Sequence, residues 1–215
     1  MGLAMQADNP PVLHVRPAAT LVLWRSGLAG PQVLMGQRGA QAAFMPSKYV
    51  FPGGAVDAGD ETMASDFAID QTCHQRLQLN CPADAPSPKA IVAAAVRELW
   101  EETGLRLISK PAANNDMRFI FRAITPPGRS RRFDARFFLA DAASIAGDPE
   151  DFSAASDELS HLHWIGLDQT RRLDLPFITE VVLSEISHLL RGRAKNDGVP
   201  FFDNSGHVPT FRRLC

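Results

Sequence analysis

Apolar residues recur along the chain in two rhythms. Ala18 to Trp24 is a short apolar, β-prone run; the turn signals Gly27 and Gly30-Pro31 follow, and Gln32 to Arg38 continues as a second run. This pattern predicts two strands of a hairpin. Met117 to Ile124 and Arg132 to Ala140 read as two more β segments, separated by Thr125-Pro126-Pro127-Gly128-Arg129-Ser130-Arg131. In the second, Phe133, Ala135, Phe137 and Leu139 alternate with Asp134, Arg136 and Phe138, so one face belongs to the core. Leu105 to Ile108 and Leu159 to Leu167 are also strand-like, and a short strand is expected at Val12 to Val15 within a loose N-terminal arm, residues 1 to 17. The helical rhythm appears at Ile178, Val181, Val182, Leu183, Ile186, Leu189 and Leu190, which predicts a helix with Pro176 at its first position, running to about Arg191. Asp168 to Arg172 reads as a helical turn. Glu61 to Leu79 is expected to be helical; the proline-rich stretch Cys81 to Pro88 cannot continue that helix, and Ser87 or Pro88 starts the next one. The tail, residues 194 to 215, has no clear rhythm.

The helix that starts near Ser87 ends in Arg97-Glu98-Leu99-Trp100-Glu101-Glu102-Thr103-Gly104-Leu105, a glycine stop. Glu98, Glu101 and Glu102 lie at i, i+3 and i+4 and share a face. Val92, Ala95, Val96, Leu99 and Thr103 form a stripe elsewhere, so the three carboxylates are expected to stay clear of the core. Like charges at these spacings repel by a few tenths of a kcal/mol per pair, roughly, and carboxylates near a helix C-terminus oppose its dipole. A solvated acidic face is the ordinary explanation of a glutamate-rich helix. Clustering in the unfavourable turn argues instead for a hard divalent cation, whose charge offsets both penalties. Arg97, four residues before Glu101, is placed to orient it by a charged hydrogen bond.

The length suits one domain, with or without an insertion, and 45% of the 215 residues are apolar, sufficient for a core. A formal charge of −2 gives no basic field, so neither nucleic acid nor an anionic membrane is favoured as a partner. Cys73, Cys81 and Cys215 form no Cys-x2-Cys pair and no zinc spacing with His74, and an odd count without a recognisable signal peptide points to a reducing, cytoplasmic location. Neither Met1-Gly2 nor Cys215 sits in a lipidation motif, and no apolar run approaches the ~20 residues that span a bilayer. His161 and His163 share a strand face without a third ligand.

The stretch from Arg97 to Leu105 resembles the second half of the Nudix box, Gly-x5-Glu-x7-Arg-Glu-U-x-Glu-Glu-x-Gly-U, with U a bulky aliphatic residue. The first half is similar to Phe51-Pro52-Gly53-Gly54-Ala55-Val56-Asp57-Ala58-Gly59-Asp60, with Asp60 in place of glutamate and 36 residues before Arg97 in place of seven. The resemblance implies an α/β fold, the Nudix α/β/α sandwich with a mixed sheet, carrying residues 61 to 89 as a helical insertion over one edge of the site and without a share in the core. It implies hydrolysis of a nucleoside diphosphate linked to another group. It assigns Mg2+ or Mn2+ to Glu98, Glu101, Glu102 and the backbone oxygen of Gly53, with Arg97 in support. Glu101, Glu102 or Glu158, the last in the loop before the final strand, serves as base, and the choice stays open, as does the role of Asp60. The segments Val33 to Arg38, Phe44-Met45-Pro46 and Tyr49 to Gly54, with Arg131 to Phe138, are similar to the coenzyme A diphosphatase branch, nearest to peroxisomal enzymes with a long insertion in the box. That similarity makes Arg38, Phe44, Met45, Arg129, Arg131 and Arg132 the substrate-binding candidates, although arginines 129, 131, 132 and 136 read equally well as surface residues. The arginine that the better-known coenzyme A motif places beside the Met-Pro segment is absent. ADP-ribose or nucleotide-sugar hydrolysis is the alternative, and a Nudix-fold sensor without turnover is a third. The expected partner is a small nucleotide; many Nudix proteins are dimers, and the sequence leaves the oligomeric state, homodimer included, open.

Overall fold

The computed structural model describes residues 14–63, 67, 69–108, 117–192, 198–206 and 208–215. Strand β1 (Val15–Gly27) turns at Leu28-Ala29 into β2 (Gly30–Arg38), the expected hairpin, with Trp24 opposite Val33. Short strands β3 (Tyr49–Val50) and β4 (Gly53–Ala55) follow. A 3-10 turn, Ala58–Glu61, precedes helix α1 (Gln71–Gln78) and helix α2 (Pro88–Thr103). Then come β5 (Arg118–Ile124), β6 (Arg132–Asp141), β7 (Leu159–Gly166), α3 (Phe177–Leu190), β8 (Val199–Asp203) and β9 (Thr210–Leu214).

Among the described residues the strands form one mixed sheet in the order β3-β2-β1-β6-β5-β8-β9, with β4 on β1 and β7 on β2. The pairs β1–β6 and β5–β8 are parallel; the others are antiparallel. One face packs against α1 and α2 through Leu21, Leu23, Phe138, Ile91, Ala95 and Leu99. The other packs against α3 through Val22, Phe137, Val182 and Ile186. This is the expected α/β/α sandwich. No helix is long and apolar enough to cross a membrane among the described residues.

The departures from the sequence reading have local causes. Val12 and Leu13 lie outside the described residues, as do 109–116 in the loop before β5, and β1 begins at Val15. Leu105–Ile108 forms an isolated bridge, Leu107 to Ile145, in place of a full strand among the described residues, with Ile108 N donating to the Ser144 carbonyl at 2.7 Å and Ala146 N to the Arg106 carbonyl at 2.8 Å; the Leu105 N–H is turned onto Thr103 Oγ1 at 3.1 Å. Among the described residues the helix expected from Glu61 to Leu79 is a 3-10 turn and, separately, α1; Asp70 caps α1 by accepting from Cys73 N at 2.6 Å. Residues 64–66 and 68 lie outside the description. The segment between Glu61 and Ser87 is not an appended lobe without core: Cys73 and Leu77 are buried in the main cluster, with Phe67, Ile69 and Leu79 against it. Pro176 stands one residue earlier than expected, as N-cap of α3. From Val199 onward the tail is ordered into the sheet edge as β8 and β9.

Strand β6 corrects a further expectation. Phe137 and Leu139 are buried as the alternation requires, yet Asp134 and Arg136 on the opposite face are buried as well. They meet Arg122 from β5: Arg122 Nε and Nη2 donate to the two Asp134 oxygens at 2.8 and 2.7 Å, and Arg136 Nη2 lies 3.1 Å from Asp134. Arg122 also donates to the carbonyls of Leu79 and Asn80, where the chain leaves α1. The segment after α1 therefore covers a charged patch that periodicity assigns to solvent.

Candidate active site

Helix α2 starts where Ser87 Oγ accepts from Ala90 N at 3.1 Å and Pro88 occupies the first turn; it stops at Gly104, whose φ of 74° is left-handed. Between these caps Val92, Ala95, Leu99 and Thr103 are buried against the sheet. That packing fixes the rotation of the helix and brings Arg97 above the 3-10 turn. Arg97 Nε and Nη2 donate to the two oxygens of Asp60 at 2.9 and 3.0 Å, Nη2 also reaches the Ala55 carbonyl at 2.9 Å, and Nη1 reaches Glu98 at 2.8 Å and Glu101 at 3.0 Å. The hydrogen bonds to Asp60, with those to Glu98, hold the guanidinium above its ordinary pKa against the opposing effect of burial. Burial pushes the Asp60 carboxyl up, but Arg97 and the Asp57 N–H outweigh it, leaving Asp60 below the usual range. Asp60 is 1% exposed. Its role, open in the sequence, is to brace Arg97 across the long intervening segment.

The three glutamates do not all stay clear of the core. Glu101 is exposed and Glu98 partly covered, but Glu102 is 2% exposed. Glu102 Oε2 accepts the Gly53 N–H at 2.7 Å. Burial, opposed by that hydrogen bond and reinforced by Glu98 and Glu158, pushes its carboxyl up to about 8, while Arg38 pulls the other way. Burial also raises Glu98, with Glu101 and Glu158 adding to it and Arg97 resisting. Antiparallel pairing sets Gly54 opposite Ala19 and Gly53 opposite Thr20. A Cβ on Gly54 would lie 2.3 Å from Glu98 Oε1, and one on Gly53 would lie 2.6 Å from the Ala19 carbonyl, so both glycines are required by close approach.

Among the described residues no three His, Cys, Asp or Glu side chains converge on one point as a ligand set. The reason is visible in the partners: Arg97 holds Glu98 and Glu101, and Gly53 holds Glu102. The donors nevertheless fit a hard divalent ion, being carboxylate oxygens with burial and mutual repulsion to relieve.

Glu158 is exposed and acts electrostatically on both Glu98 and Glu102, so the structure brings it to the cluster. Arg38 ends β2 opposite Leu159 and faces Glu102 electrostatically; its Nε is buried and has no hydrogen-bond partner among the described residues. Phe44 packs edge-on to Phe133 with ring centroids 5.3 Å apart, and Ser130 Oγ donates to the Ala43 carbonyl at 3.1 Å. The loop bearing Phe44 and Met45 is thus joined to the loop bearing Arg129 and Arg131, both exposed. Arg132 does not belong with them. It is buried, donating from Nε to the Thr125 carbonyl at 3.0 Å and from Nη2 to the Asn204 carbonyl at 3.2 Å, because even-numbered positions of β6 face away from Phe133. The tie from Glu61 to Ser87 escaped the sequence reading: both carboxylate oxygens accept from Ser87, from N and Oγ, at 2.8 Å. No short-range pattern announces a pair so far apart in the chain.

A family model described as NUDIX domain matches residues 71–185, more than half of the chain. The chain belongs to the Nudix family. The match begins at α1, so Gly53, Gly54 and Asp60 lie ahead of it and join the Nudix helix through β4 and Arg97. A relative described as putative nudix hydrolase 7 of Caenorhabditis elegans is 27% identical over 180 residues, 70% of this chain and 51% of its own length. The chain thus spans about half the length of that curated relative. A Nudix hydrolase of Alicyclobacillus acidocaldarius is similar at 26% identity and a TM-score of 0.59, covering 80% of this chain and 90% of its own. The Nudix domain of Shewanella oneidensis NrtR, solved with ADP ribose, shares the fold at 13% identity and a TM-score of 0.51, covering 85% and 94%. Nudix hydrolases generally use divalent metal ions.

Proposed function

We propose that this Nudix protein hydrolyses the diphosphate bond of a nucleoside diphosphate derivative, and that coenzyme A or an acyl-coenzyme A is its substrate, giving 3′,5′-ADP and (acyl-)4′-phosphopantetheine. The observation that carries the reading is the excess of carboxylates on α2 around a single arginine, with Glu102 buried and raised to about 8. Glu98, Glu101, Glu102 and the Gly53 carbonyl are the groups to hold Mg2+ or Mn2+. Bound there, such an ion would polarise the phosphoryl oxygen and lower the pKa of a coordinated water. Arg97, fixed by Asp60, orients Glu98 and Glu101. A carboxylate of this set accepts the proton of the attacking water; Glu101 and Glu158 are both exposed, and with Arg97 holding Glu101, Glu158 is the one we assign. Arg38, with its Nε unpartnered among the described residues, suits a phosphoryl oxygen.

Coenzyme A is favoured by the junction of the two outer loops. Its 3′-phosphate asks for cations and its pantetheine arm for a partly apolar groove. Arg129 and Arg131 supply the first, and Phe44 on Phe133 with Met45 the second. Arg132, buried in the sheet, takes no part. Incubation with Mg2+ or Mn2+ and a panel of diphosphates, with products separated by mass, is the test. Faster cleavage of ADP-ribose or a nucleotide sugar than of any coenzyme A species would replace the substrate; tight binding without turnover would replace the enzyme by a sensor.

A further inference from the structure

Residues 148–157 form a strap between β6 and β7 that ends beside the glutamates. Its own turns shape it: Asp148 Oδ1 accepts from Glu150 N at 2.9 Å, Asp151 Oδ1 from Ser153 N at 3.0 Å, and the Phe152 carbonyl from Ala155 N at 3.0 Å. Trp164 Nε1 donates to the Pro149 carbonyl at 3.0 Å, and Phe152 packs against the core. The strap then docks on the C-terminal end of α2. Ala154 presses on Gly104 so closely that a Cβ there would lie 2.9 Å from the Ala154 backbone, and the Ser156 N–H donates to the Glu101 carbonyl at 3.1 Å. Ser156 Oγ accepts from Glu158 N at 3.4 Å, and Leu159 enters β7 opposite Arg38.

We infer that this docking sets the Glu158 carboxylate against Glu98 and Glu102, with Ala154 and Ser156 as positioning residues for the reaction; the inference rests on the reading of Glu158 given above. Two residues of chain span at most about 7 Å, so an anchor on the backbone of Glu101 confines Glu158 to the neighbourhood of the metal-binding helix. The same contact satisfies one of the carbonyls that a helix end leaves open. Ala154 and Ser156 are exposed, so their role is not to fill the core.

Ser156→Pro deletes the donor and Ala154→Leu crowds Gly104. Each should lower kcat about tenfold, leave KM within about twofold and shift Tm by no more than about 4 °C. Ser156→Ala, which keeps the N–H, should restore most of the turnover. In a Glu158→Gln background Ser156→Pro should cost nothing further. Additive losses, full kcat in Ser156→Pro, or full activity in Glu158→Gln would each overturn the positioning role. Hydrogen exchange decides the docking separately from turnover: the Ser156 amide should be protected in the unaltered protein and unprotected rates at that amide would refute the latch. A protein that hydrolyses no diphosphate but protects Ser156 would overturn the enzymatic reading and, with it, the positioning role, while leaving the docked strap standing.

Discussion

Two clusters of arginine and carboxylate lie on the face of the sheet that carries α1 and α2, built from the same kinds of group at similar distances and opposite in balance. Around Arg97 one guanidinium serves Asp60, Glu98 and Glu101, and Glu102 sits uncompensated close by. Around Asp134 one carboxylate serves Arg122 and Arg136, both almost fully buried, and Arg136 Nε has no partner among the described residues. Burial lowers the Arg136 guanidinium from its ordinary pKa, with Arg122 adding to it and Asp134 opposing. An ion pair therefore says little about function by itself. The first cluster has surplus negative charge and a route to solvent through Glu101 and Glu158; the second is closed under Leu79, Asn80 and Cys81 and serves to fasten that segment to the sheet.

The largest test of this contrast falls on the closed cluster. Asp134→Ala leaves two buried guanidiniums uncompensated and should lower stability by about 3–5 kcal/mol, read by denaturant unfolding. A change within 1 kcal/mol, roughly the value of an exposed pair, would show that the cluster is wet. Glu101→Gln, in the open cluster, should do the reverse: turnover falls by about 10²-fold or more while the unfolding midpoint hardly moves, and removal of metal with a chelator should abolish activity. Near-full activity in either condition would sink the site assignment.

A pH series sharpens the comparison further. The raised Glu102 carboxyl binds its proton more tightly in the folded protein than in the unfolded chain, so its contribution is complete below its ordinary value of about 4.3 and is lost as pH rises towards about 8. In chelator, the melting temperature should fall from pH 5 to 8.5, and Glu102→Gln should flatten that slope. Identical slopes in the two proteins would contradict it. The smallest effect is reserved for the outer loops: Arg129→Ala and Arg131→Ala should each raise KM for coenzyme A a few-fold and leave dephospho-coenzyme A unaffected, as for loss of one exposed charged contact, worth about 1 kcal/mol or less. Equal effects on both substrates would remove the 3′-phosphate from the argument.

The open cluster was largely legible in the sequence because its members are neighbours on one helix, and spacing fixes their geometry. The hairpin, β5, β6 and α3 were legible for the same reason, each having a regular apolar rhythm. What could not be read depends on partners distant in the chain. Asp134 and Arg136 look solvated until Arg122 pairs with them across β5 and β6 and the end of α1 closes over them. Arg132 looks like a companion of Arg129 and Arg131 until strand register turns it the other way. Glu102 looks as exposed as Glu101 until β4 brings Gly53 against it. In each case the local pattern gave the face, and a remote segment decided whether that face met water.

The tie between Glu61 and Ser87 bears on the long stretch of chain that separates Asp60 from Arg97. Closing a flexible link of 36 residues between Asp60 and Arg97, instead of seven, costs about 1.5 kcal/mol more in chain entropy, since the penalty grows only with the logarithm of length. The side chain of Leu77, carried inward by α1, offsets that on the order of 2 kcal/mol when buried. With its two ends fastened together by Glu61 and Ser87, the detour presents the rest of the fold with something close to a short bridge. The distance between Asp60 and Arg97 along the sequence is then a weaker guide to their contact than the closure of the segment's ends in space.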